Sequence, residues 1–111
     1  MRPLALAFLL VLTGSLLGRA DAPRVAALEA RYGTAAEAPE RDLAQGALHQ
    51  ARRALDGGAT GEPSDARERR LAIADAALEL AERQIARERA AAGRREAETL
   101  RVEAAQRLVA A

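Results

Sequence analysis

The chain has no cysteine, lysine, asparagine or tryptophan. Without cysteine it can build no disulfide, no thiolate metal site and no thiol nucleophile, and a diacylglyceryl anchor has no sulfur to attach to. Without asparagine there is no N-x-[ST] acceptor. Phe8 and Tyr32 are the only aromatic residues, too few to form a stacking platform for nucleic-acid bases. His49 is the only histidine, and Ser15 and Ser64 are the only serines. No nucleophile–base pair can be drawn from so small a set, and no group of three or four converging zinc ligands. Glu96 and Glu98 would fall on different helix faces, and Glu79 and Glu82 belong to a solvated one. The loop Gly57-Gly58-Ala59-Thr60-Gly61 lacks the Lys-Ser/Thr of a phosphate-binding loop. The expectation is a protein that is not an enzyme and holds no metal or cofactor.

What is present begins with a segment in three zones. Met1-Arg2-Pro3 is a short basic start, Leu4 to Leu17 an apolar run, and Gly18-Arg19-Ala20 places small residues at −3 and −1 of a scissile bond. That is the order of a cleavable export signal. A cut between Ala20 and Asp21 is favoured over one after Ala22, which would leave Pro23 at the new terminus and fit an extended substrate poorly. A retained signal anchor is the competing reading, and Gly14 to Gly18 does match the GxxxG helix-pairing motif. The span from Pro3 to Gly18 is 16 residues, short of the roughly 18–20 that cross a bilayer. A periplasmic or secreted mature chain, with no stable membrane span after cleavage, is therefore expected to start at Asp21.

Cleavage would also change the charge. The whole chain carries 17 arginines against 16 acids. Losing Arg2 and Arg19 leaves 15 against 16, a net charge of −1. Every basic residue is arginine, which together with abundant alanine and glycine reads as the codon bias of a GC-rich genome. The clusters Arg67/Arg69/Arg70, Arg83/Arg87/Arg89 and Arg94/Arg95 are interleaved with acids. Counterion-release binding to nucleic acid needs an excess of base on one face, and a membrane-surface helix needs large apolar residues opposite its basic ones. A solvated helix surface is the expected role of these arginines.

The mature part has few large apolar residues, yet alanine is the best helix former and the apolar positions are periodic. Val25, Leu28 and Tyr32 share one face of a first helix over 24–32, with Gly33 as its left-handed cap and 34–38 as a link. Pro39 starts a second helix whose face is Leu43, Ala47, Leu48, Ala51, Ala54 and Leu55. Gly46 in its middle suggests a close helix–helix contact. The segment 57–64 is a glycine-rich turn, with Ser64 or Asp65 capping the next helix and Asp65/Glu68 spaced as a capping box. From 65 to the end only Gly93 interrupts a long Ala/Arg/Glu-rich helix. Leu71, Leu78, Ile85 and Ala92 recur every seven residues, with Ala74 and Ala81 at the following d-type positions. This narrow seam fails at Glu88 and resumes out of phase at Leu100 and Leu108/Val109. The fold class expected is all-α: a helical hairpin or small three-helix arrangement, with short helices over 21–56 folded back on a long, partly coiled-coil-like C-terminal helix.

The run from Ala38 to Gly58 (APERDLAQGALHQARRALDGG), followed after a loop by Ala74 to Arg83 (ADAALELAER), resembles a family of uncharacterised helical envelope segments. These often occur in lipoproteins or ahead of OmpA-like, peptidoglycan-binding domains. They share a Pro-initiated helix with Leu and Ala at regular spacing, a Gly-containing turn and an Ala/Glu-rich helix. The resemblance spans about residues 24 to 90. It implies a structural or interaction role in the cell envelope, with contact to cell wall, and supplies no catalytic residues. The export signal, the weak heptads, the sparse core and the Arg- and Ala-rich helices lead to three expected roles: a module binding an envelope protein or itself, a peptidoglycan or anionic-polymer binder, or a small periplasmic chaperone.

Overall fold

The structure, a computed structural model, describes residues 21–111. The expected signal segment, including Ala20 of the expected cleavage pair, lies outside the described residues. Three α-helices succeed one another: α1 (Ala22–Glu37), α2 (Gln45–Asp56) and α3 (Ser64–Ala110), with a 3-10 turn at Arg41–Ala44 leading into α2. There is no strand among the described residues. This is the expected all-α fold, with α1 and α2 both laid against the first part of α3.

α1 has Pro23 in its first turn, where a missing N–H costs nothing. It runs through Gly33 without a break, so Gly33 is not the cap that its position after Tyr32 suggested. Gly61 is the only described residue with positive φ. Alanines on both sides of Gly33, one of them the buried Ala35, outweigh the roughly 1 kcal/mol that a helical glycine costs. The stop comes from Pro39, which forces Ala38 into extended backbone at ψ 140°.

Pro39 does not begin α2. Ala38 O accepts from Arg41 N at 3.1 Å and Glu40 O from Leu43 N at 3.1 Å, so the entry is wound as a 3-10 turn before the regular helix starts at Gln45. The tighter winding shifts the register. Ala44 takes the fully buried position and Leu43, expected on the packing face, is 58% exposed. Ala47, Leu48, Ala51 and Ala54 pack as expected, and Leu55 packs partly against them.

The chain reverses through residues 57–63, with Gly61 at φ +80°, a conformation that side chains resist. Pro63 sits at the N-cap of α3, and neither Ser64 nor Asp65 bonds a free backbone N–H there. Glu68 forms no capping box because its carboxylate is taken by Arg24 of α1. α3 is 47 residues, roughly 70 Å at 1.5 Å per residue. Its expected seam is real in the first half: Leu71, Ala74, Leu78, Ala81 and Ile85 are buried, with Ala77 beside them. Ala44, Ala51, Ala74 and Ala81 have no accessible surface, so α2 and α3 meet through methyl groups and their backbones lie close. Ala92, the next heptad position, is exposed, as is every residue after it.

Candidate interaction surface

Arginine-centred ion pairs hold the three helices in place. Arg31 of α1 reaches Asp75 at 2.5 Å and Glu82 at 2.7 Å on α3. Arg52 of α2 bonds Glu29 of α1 and Asp56 of its own helix, at 2.7 and 2.6 Å, with its guanidinium 4.9 Å from the centre of the Tyr32 ring. Hydrogen bonds from Arg52 hold the Glu29 and Asp56 carboxyls below their ordinary range. Arg89 does the same to Glu40 beside the 3-10 turn. Arg67 pairs with Asp21 at the start of α1. Arg70 is the most enclosed. It donates to the carbonyls of Ala54 and Leu55 at 2.6 and 3.2 Å, completing the C-terminus of α2, and pairs with Glu62 in the reversal. A side chain on Gly58 would run into the Arg70 guanidinium. Reading the arginine clusters as solvated surface is therefore corrected for Arg67 and Arg70, which are part-buried, whereas Arg89 stays exposed while it pairs with Glu40. The acids that identify them lie 8 to 49 residues away, and the sequence contains no signal at that distance.

No chemistry gathers at the positions weighed for it. His49 is exposed on α2, and no group of three or more His, Asp or Glu able to hold a metal exists among the described residues. Ser64 is the exposed first residue of α3. Among the described residues no helix is long and apolar enough to cross a membrane. The residues Leu71, Leu78 and Ile85 form a seam, but one filled by the chain's own α1 and α2.

Another face of α3 has no cover. Ile73 and Leu80 are each about half exposed, and Val102 and Val109 are exposed beyond the hairpin. At about 100° per residue these four side chains fall within roughly 40° of one another around the helix. Gln84, Ala91, Glu98 and Ala105 lie along the same line, while Ala77 in the same register is buried in the core. Three separate shallow grooves lie beside it, none of them lined by Leu80. The first, of about 720 Å³, lies between α2 and α3 and includes Gly46, His49, Arg53, Arg69 and Ile73. The second holds Leu43 with Gln84 and Ala91, and the third Val102, Ala105 and Val109. Gly46 was expected to mark a close helix–helix contact; within the chain a Cβ there would meet nothing within 4 Å. The heptad count at Leu71, Leu78 and Ile85 draws the eye to the inner seam. The outer line follows a period of 3.6 and carries only four large residues in 37 positions, so the sequence shows it only once the inner face is known.

No family model matches this sequence, and no curated protein or solved structure is similar to it. The likeness to envelope helical segments thus rests on the residues quoted for it.

Proposed function

We propose that the mature chain is an exported, non-enzymatic helical module of the bacterial envelope that binds a protein partner along the outer face of α3. The observation that carries this reading is the line Ile73–Leu80–Val102–Val109 with its three grooves, which is exposed over both halves of α3. The hairpin of α1 and α2 braces one end of the helix, and the remainder extends as an arm. The apolar Leu4–Leu17 run and the small residues at 18 and 20 support export and cleavage between Ala20 and Asp21. Photo-crosslinking in cells tests the module. A photoreactive residue at Val102 should trap a partner in the envelope fraction, and one at Ala104, on another face, should not. N-terminal sequencing of the trapped chain should begin at Asp21, and recovery of intact Met1 would remove the export claim.

A second reading is favoured by the first groove. His49, Arg53 and Arg69 line it with no ion pair to one another's helix, which suits an anionic polymer of the peptidoglycan type. Co-sedimentation with purified sacculi separates the readings: this one requires binding that Arg53→Glu and Arg69→Glu abolish and salt weakens.

A further inference from the structure

The outer face of α3 reads the same in both directions. About a centre at Ala91, the positions 73 and 109, 80 and 102, and 84 and 98 are equidistant pairs. Their occupants match in kind: Ile73 with Val109, Leu80 with Val102, Gln84 with Glu98. We propose that the partner is a second copy of this chain, its α3 lying antiparallel on the first with the two-fold axis at Ala91. The proposal rests on the reading of this face as an interaction surface and names its occupant.

A two-fold axis of this kind sets each residue against its equidistant counterpart, so a face complements itself only if it is palindromic. Here each large side chain meets a large one. Ala91 meets itself at the axis, where the two backbones come closest. The flanking charges agree on one edge. Glu88, already bonded to Arg95 at 2.8 Å within the chain, comes within about one residue of Arg95 of the second copy, giving a closed ring of two acids and two arginines. On the other edge Glu98 of one copy comes about one turn from Arg87 of the other, with Arg94 nearby. Leu43 stands exposed in the groove beside Gln84 and Ala91 and adds an apolar side chain next to the axis. The far end of the second α3 would lie in the groove between α2 and α3 that Gly46 and Ile73 line. There the helical glycine without a neighbour of its own gains one. The paired stretch, 37 residues, is roughly 54 Å long and a helix about 10 Å wide. A footprint on the order of 500 Å² per copy belongs to the small, reversible class of interface. Dimers are expected at concentrations on the order of 0.1 mM.

The chain has no cysteine, so single nitroxide labels can be placed at will. Ala97→Cys and Ala104→Cys sit on another face of the arm and leave the pairing intact. The antiparallel register predicts label positions offset along the axis by about 18 Å at 97 and about 39 Å at 104, read by dipolar spectroscopy of the processed chain at 1 mM. Equal distances at the two sites would mean a parallel pair and overturn the register. Every ion pair and hydrogen bond beyond Arg94 stays within α3, so Val102→Asp leaves the hairpin folded. It should weaken the dimer by more than about tenfold in sedimentation equilibrium. A wild-type chain that stays monomeric at 1 mM, or a dimer indifferent to Val102→Asp, would overturn the proposal. A monomer that still crosslinks to a different envelope protein through Val102 would leave the interaction module standing and remove only the self-pairing.

Discussion

Arginines join the helices around an apolar core of leucine, isoleucine and alanine. Arg70 illustrates the difference that burial makes. Only 18% of its side chain is exposed, and it serves two carbonyls and a carboxylate at once. Arg70→Ala would leave the Ala54 and Leu55 carbonyls short of a donor, at a cost of about 1.5–3 kcal/mol. Arg83→Ala removes an exposed i,i+4 pair with Glu79 and should change stability by less than about 0.5 kcal/mol. Thermal melts of the two variants should differ plainly, and equal effects would contradict the clamp. The carboxyls of Glu29, Glu40 and Asp56 are held low by their arginines, which fixes the sign of the acid response. Each binds its proton less readily in the folded chain than in the unfolded one. Their stabilisation is complete above the unfolded carboxylate range and is lost as pH falls below it. The melting temperature should therefore drop between about pH 4.5 and pH 3; a rise over that window would count against the pairs.

At the scale of the elements, what could be read from the sequence was set by what acts locally. Leu71, Leu78 and Ile85 were legible because a heptad repeats on a single helix, and the glycine-rich reversal was legible because glycine and proline act on their own backbone. Gly33 and Pro39 misled for a related reason. A glycine after an amphipathic stretch and a proline before one look the same whether or not the helix continues, and here buried Ala35 decided in favour of continuing. The 3-10 entry to α2 depends on how Ala38 and Glu40 carbonyls are used, which no side-chain pattern encodes. Two substitutions test the elements. Leu78→Ala opens a cavity in the fully buried seam and should cost about 2–5 kcal/mol in denaturant unfolding. Gly46→Ala, with free space at its Cβ, should stabilise the dilute chain by up to about 1 kcal/mol, whereas destabilisation would show a contact that the structure does not contain.

The whole molecule is a braced helix. α3 is held by α1 and α2 over Leu71 to Ile85 and stands alone after Ala91, with Gly93 near the start of the unsupported part. The arm has no tertiary packing of its own and is kept helical by continuing from a folded base. The uncovered face of α3 was not readable from the sequence, because it is defined by what the hairpin leaves exposed. Amide hydrogen exchange along α3, followed at two protein concentrations, tests this division most directly. In dilute solution amides from Arg95 to Ala110 should exchange much faster than those from Leu71 to Ile85, and at 1 mM they should become protected. An arm protected as strongly as the braced segment at every dilution, or left unprotected at every concentration, would contradict the account.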